Sequence, residues 1–201
     1  MVCENSPIRY YDSFTFNLFH YLEAEGERVD VFRNDEISLE DLQSYDAVVL
    51  SPGPGLPKDA GIMPAFLKSL DGSIPVLGVC LGLQGIVERF GGTLRNLEEV
   101  IHGQATSCIQ ENEDVLFEGI SSPFQIGHYH SWVANEIPSC LEVTSRNEEG
   151  LIMSVRHKEW PIHAVQFHPE SVLTPNGRKM IQNWVSTVKN KKQLLSYENN
   201  Y

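Results

Sequence analysis

Two short runs, AVVL at 47–50 and IPVLGV at 74–79, constrain the fold more than any other feature of the chain. Each is too short for a helix, apolar on consecutive positions, and followed by a glycine-containing turn. A strand that is apolar on both sides must be covered on both faces, which marks a parallel sheet between layers of helices. Helical patterns occupy the intervals. SFTFNLFHYLEAEG places Phe14, Leu18 and Leu22 at four-residue spacing, with Asp12 or Ser13 as the cap and Gly26 as the stop. RVDVF at 28–32 predicts a strand, SLEDLQS at 38–44 a short helix, MPAFLKSL at 63–70 a helix, and LQGIVERF at 83–90 another. The alternation predicts an α/β fold with a mostly parallel central sheet, right-handed crossovers and helices on both faces. From about 92 to 168 the rhythm becomes strand-like, as in EVTSR, LIMSVRH and IHAVQFH, predicting a smaller antiparallel region. A last amphipathic helix is expected near 176–188. One domain, 1–189, is therefore expected, followed by a loose polar tail at 190–201.

Composition excludes several functions. The net charge is -12 and no Lys/Arg block interrupts the acidity, so neither nucleic acid nor an anionic membrane is an expected partner. No apolar run approaches bilayer length, and the N-terminus lacks the basic start and apolar stretch of a signal peptide. The four cysteines are far apart, with no C-x-x-C pair, which speaks against a zinc site or a disulfide framework and for a reducing, cytoplasmic setting.

Cys80 stands where the strand ending GV meets a helix, flanked as Gly78-x-Cys80-x-Gly82. Small neighbours permit a tight, strained turn that lifts the side chain from the sheet, the logic of a nucleophile elbow. Such a cysteine lies at the carboxyl edge of the strands, where open α/β sheets bind ligands. The positive end of the next helix favours an anion there, and the Leu81 N–H is placed to hold an oxyanion. A free cysteine also packs as a small buried apolar side chain, and the motif alone leaves both readings open.

A thiol nucleophile needs a base, and the base needs an orienting group. In AVQFHPES a strand pattern ends at His168, Pro169 stiffens the exit, and Glu170 follows two residues on. Among the other histidines, spacing suggests no carboxylate partner for His20 or His102, while His128, His157 and His163 are expected at the surface or on strand edges. The alternative for His168 is a capped strand end. The loop LSPGPGLP after Leu50 sets Gly53, Pro54 and Gly55 beside the same sheet edge; it lacks a phosphate-binding pattern, and on its own is equally an ordinary Pro/Gly turn.

SPGPG, GVCLGLQ and QFHPES, in this order and joined by DSFTFNL, RNDEI, HGQATS and YHSW, resemble the class I, triad-type glutamine amidotransferases over residues 8–188. Within them the likeness is to the glutaminase components that serve chorismate-using synthases. The resemblance implies that Cys80 attacks the glutamine side-chain amide, His168 serves as general base and acid, and Glu170 orients it. It also implies that Gly53 and Leu81 supply oxyanion N–H groups, and that Pro54, Gly55, Gln84, Ser131 and the Trp132 backbone line the pocket for L-glutamine. Ammonia would pass to a separate chorismate-binding synthase subunit in a hetero-oligomer, making either anthranilate or 4-amino-4-deoxychorismate. No metal or cofactor is expected in this chain, magnesium being expected only in the synthase subunit. A stand-alone γ-glutamyl cysteine hydrolase is the rival enzyme, and a non-catalytic regulatory partner of the same fold is the rival binder.

The chain departs from the family pattern in four places. Leu83 replaces a usual His or Met, Gln104 a usual Lys, and His128 a usual Arg. The fourth is CENSPIRYYDSFT, which stands where an apolar first strand is usual; Pro7 lacks an N–H, so a missing or distorted first strand is expected. The stretch RYYDSFTF is the expected docking surface for the synthase.

Overall fold

In a computed structural model, residues 7–9 and 15–198 are described; the expected caps Asp12 and Ser13, the helix residue Phe14, and Tyr10 and Tyr11 of the docking stretch lie outside them, as do residues 3–6. Nine strands form one sheet in the order β2-β1-β3-β4-β9-β8-β7-β5-β6. The first five in that order, β2 (Phe32–Arg33), β1 (Pro7–Arg9), β3 (Val48–Leu50), β4 (Val76–Val79) and β9 (Ile162–Val165), run parallel. The remainder, β8 (Ile152–His157), β7 (Leu141–Asn147), β5 (Thr93–Gln110) and β6 (Phe124–Glu136), extend it antiparallel from β9.

Every residue of β3 and β4 is buried, so both faces of the sheet centre are covered, as their apolar sequences require. The helices α1 (Thr15–Glu23), α2 (Leu39–Gln43), α3 (Met63–Ser69), α4 (Leu81–Arg89) and α5 (Gly177–Glu198) provide that cover. They pack chiefly as α3 with α4 and as α1 with α5. Leu18 and Leu22 of α1 are fully buried, and Met180, Ile181, Trp184, Val185 and Val188 form the apolar stripe of α5. Ser38 caps α2 by accepting a hydrogen bond from the Asp41 N–H at 3.1 Å. Among the described residues no helix is long and apolar enough to cross a membrane.

Five expectations change. The first strand is not missing: Pro7–Arg9, three residues long, pairs parallel with both β2 and β3, and Pro7 sits at the strand's first position, where its missing N–H is best tolerated. RVDVF contributes only its last residue to β2, because among the described residues the side of β2 away from β1 has no strand to reward a longer run. The final helix does not stop near 188; α5 continues to Glu198, through most of the polar segment expected to be loose. The histidines expected at the surface or on strand edges are also more enclosed. His128 is wholly buried, and His157 is buried with its Nδ1 accepting from the Glu159 and Trp160 N–H groups at 3.1 and 2.9 Å. His163 sits on β9, half-buried, with Nδ1 2.8 Å from Asp114 Oδ1. His20, expected without a carboxylate, lies 3.7 Å from Glu23 on the exposed side of α1.

Candidate active site

Cys80 follows β4 directly and caps α4. Its backbone has φ 53° and ψ -100°, and it is the one non-glycine residue with positive φ among the described residues. Such a conformation costs about 1–3 kcal/mol and persists only where its surroundings enforce it. Here they do. The Cys80 N–H donates to the Val165 carbonyl at 2.8 Å, and its own carbonyl accepts from the Gln84 N–H at 3.1 Å, starting the helix. The two flanking glycines are required for space. A Cβ on Gly78 would lie 2.6 Å from Ile86 Cδ1, and one on Gly82 would lie 2.5 Å from the Leu50 carbonyl oxygen. The turn thus forms because β3, β4 and α4 approach one another at backbone distance.

Pairing of Val79 with Val165 puts the carboxyl ends of β4 and β9 side by side, so the residues that follow them become neighbours. On the β9 side these are Gln166, the fully buried Phe167, and His168. His168 Nδ1 is 2.8 Å from Glu170 Oε1, and both side chains are closed off from solvent. Burial works against a charged imidazole, but hydrogen bonds and charge from Cys80 and Glu170 outweigh it and hold His168 above the ordinary histidine range. The segment is pinned to β6. The His168 N–H donates to the Gly127 carbonyl at 3.1 Å, Thr174 Oγ1 donates to the His168 carbonyl at 2.7 Å, and the Gly127 N–H donates to Thr174 Oγ1 at 3.0 Å. Gly177 closes the turn from behind, since a Cβ there would overlap the Pro169 carbonyl oxygen.

A cavity of about 120 Å³ opens over the sulfur, lined by Gly53, Pro54, Gly55, Cys80, Gln84, Tyr129, His130, Ser131 and Trp132. Every residue that the sequence placed around a glutamine head group therefore lies on this wall except Leu81, which is buried as the first residue of α4. Gly55 has φ +81°, which suits the loop to glycine. Gln84 is not free: its Nε2 donates to the Trp132 carbonyl at 2.9 Å and contacts Gln166 Oε1 at 3.4 Å. Leu83 is fully buried in α4.

Sequence reasoning missed three features. Gln166 contacts Cys80, its Nε2 lying 3.6 Å from Sγ; the apolar alternation of IHAVQFH contained that signal, since Gln166 and His168 share one face of an extended chain. Thr174 lies in the turn just after His168, but its bond to Gly127 of β6 is distant in sequence and left no signal. The third is a buried imidazole pair beside the cavity: His128 Nδ1 lies 3.0 Å from His130 Nε2, and His128 Nε2 lies 2.6 Å from Thr106 Oγ1. Burial, aided by nearby imidazole charge, pushes His128 down to about 4 and His130 down to about 3, so both are neutral at pH 7. Gln104 and His128, two of the departures from the family pattern, are direct cross-strand partners on β5 and β6.

The α/β sheet thus carries a strained cysteine at a strand–helix turn, a buried His–Glu pair beyond the next strand end and a small polar cavity beside the cysteine. The chain belongs to the class I glutamine amidotransferases: the family profile "Glutamine amidotransferase class-I" matches residues 7–188. It is 43% identical to the aminodeoxychorismate/anthranilate synthase component 2 of Bacillus subtilis, over 88% of this chain and 93% of that one. It is 46% identical to the multifunctional tryptophan biosynthesis protein of Pichia angusta, over 86% of this chain and 48% of that protein, so it spans about half of that longer relative. A protein described as a GMP synthase subunit from Thermoplasma acidophilum shares the fold, with TM-score 0.86 over 96% of both chains at 22% identity.

Proposed function

We propose that this chain is the glutamine-hydrolysing subunit of an anthranilate synthase, releasing ammonia to a chorismate-binding partner subunit. The observation that carries the reading is Cys80, held in a left-handed turn at the edge of the cavity and electrostatically coupled to a buried His168–Glu170 pair. The Bacillus subtilis relative's name supports the partner chemistry and adds a second product, aminodeoxychorismate, that the same glutaminase would serve.

The chemistry follows from the groups present. The Cys80 sulfur adds to the side-chain carbonyl carbon of glutamine, and the Gly53 and Leu81 N–H groups receive the charge that develops on oxygen. His168, whose imidazolium is favoured by its two partners, gives its proton to the departing nitrogen, and ammonia leaves as the γ-glutamyl thioester forms. His168 then takes a proton from water, the water oxygen adds to the thioester, and collapse returns glutamate and the thiol. Glu170 does not exchange protons; it fixes the imidazole tautomer and stabilises its charge. The segment 1–189 acts as one amidotransferase domain, and no metal or cofactor takes part in these steps; magnesium belongs to the synthase subunit.

The test uses the purified chain with its co-purifying large subunit. Cys80→Ala removes glutamine-dependent product while ammonia-dependent synthesis by the partner continues. Glutamine turnover by the chain alone is slow and rises when partner and chorismate are both present. Full-speed turnover without a partner would favour a stand-alone γ-glutamyl hydrolase instead.

A further inference from the structure

The amide of Gln166 is buried without measurable exposure at the carboxyl end of β9, and it faces two groups of opposite demand. Its Oε1 lies 3.4 Å from Gln84 Nε2, and its Nε2 lies 3.6 Å from Cys80 Sγ. The direction of this chain of contacts is fixed at its far end. The Trp132 carbonyl only accepts, so the group of Gln84 that meets it at 2.9 Å is the NH₂. The same NH₂ then donates to Gln166, which must present its oxygen there and its own NH₂ to the sulfur. Reversing Gln166 would set an amide oxygen against Sγ and an NH₂ against an NH₂. Three groups on α4, β6 and the end of β9 thereby point one N–H at the sulfur.

We infer that Gln166 is a positioning residue of the site: it donates a hydrogen bond to Cys80 Sγ in an orientation imposed by Gln84 and the Trp132 carbonyl, favouring the anionic, attacking form of the sulfur. A donor to sulfur is worth most when sulfur carries charge, and a buried donor costs no reorganisation as that charge appears. The arrangement also ties the sulfur to the cavity wall, because Gln84 and Trp132 line the same cavity as Cys80. The titratable groups near the sulfur are His168, with Glu170 behind it, and Tyr129 and His130 of β6, which line the same cavity. The inference rests on the proposed nucleophilic role of Cys80 but assigns to Gln166 a part that the triad does not contain.

The experiment measures alkylation of Cys80 by iodoacetamide across pH 5–9, read by peptide mass spectrometry, in the wild-type chain, Gln166→Glu and Gln166→Met. Glu keeps the shape but sets an acceptor against sulfur; Met keeps the length and offers no donor. The expected result is an alkylation rate at neutral pH lowered by about tenfold or more in Gln166→Met, the scale of a hydrogen bond to a charged group, with the rate–pH curve displaced to higher pH. Gln166→Glu shifts it in the same direction and further. Where the Glu variant does not fold, the Met variant decides alone, its folding checked by its melting temperature. A folded Gln166→Met with the wild-type rate–pH curve overturns the inference. Iodoacetamide does not resemble glutamine, so this curve reads the sulfur whether or not the chain hydrolyses glutamine. Failure of the glutaminase reading shows separately, as a wild-type Cys80 indifferent to a glutamine diazo-ketone.

Discussion

The His168 imidazole and the Glu170 carboxylate meet at 2.8 Å with neither side chain reaching solvent, although only Pro169 separates them in the sequence. Pairing at this range fixes which imidazole nitrogen faces Cys80. His168→Ala is expected to lower glutamine-dependent turnover by about 10²–10⁴-fold, the range of a lost general acid–base. Glu170→Gln, which keeps a hydrogen-bonding group of similar shape, is expected to cost less. Steady-state rates at saturating glutamine with the partner present check this; equal rates for wild type and His168→Ala would remove His168 from the mechanism.

Gly177 is expected to matter to activity although it lies outside the cavity. An added Cβ would overlap the Pro169 carbonyl oxygen, and backbone on backbone has no flexible side chain to yield. Gly177→Ala should therefore displace the turn that carries His168 and Glu170, with an overpacking cost of about 1–3 kcal/mol. Thermal melting reports the stability loss, and glutamine turnover should fall by more than the unfolded fraction accounts for.

The strand–helix alternation and the glycine-flanked cysteine were readable because they depend on neighbours in sequence. AVVL and IPVLGV became buried parallel strands β3 and β4, and the G-x-C-x-G spacing became the left-handed turn. What escaped depends on contacts between distant segments. β5 is largely exposed and pairs with β6 for most of its length, so Thr93–Gln110 carries no strong apolar alternation from which to read an 18-residue strand. The burial of His128 required knowing that β5 would bring the Thr106 hydroxyl to its ring, and the placement of Gly177 required the fold of the turn it braces. The first strand was hard to read in sequence because Pro7 breaks its pattern, yet Pro7–Arg9 still pairs on both sides.

The neutral pair His128 and His130 predicts a pH dependence of stability with a definite sign. Both groups lie below the unfolded value of 6.5, at about 4 and about 3, so the unfolded chain binds more protons between those limits. Their contribution is therefore complete above pH 6.5 and is lost as the pH falls through the window down to about 4 and about 3. His168 has the opposite displacement, so its contribution is already complete below its unfolded value and stays level within the acidic window. Melting temperatures recorded from pH 7 to pH 4 should fall more steeply for wild type than for His128→Gln. Parallel curves would contradict the assignment.

The measurement that bears most directly on the nucleophilic role of Cys80 is covalent labelling of the intact chain by a diazo-ketone analogue of glutamine, located by peptide mass spectrometry. Cys108 is fully buried, and burial pushes its thiol up to about 12, so it offers no reactive sulfur at neutral pH. Cys140 is half-buried and is not among the residues lining the cavity over Cys80. A single adduct on Cys80 is predicted, formed more slowly when L-glutamine is added. Equal labelling of all four cysteines, or an unlabelled Cys80, would contradict that role.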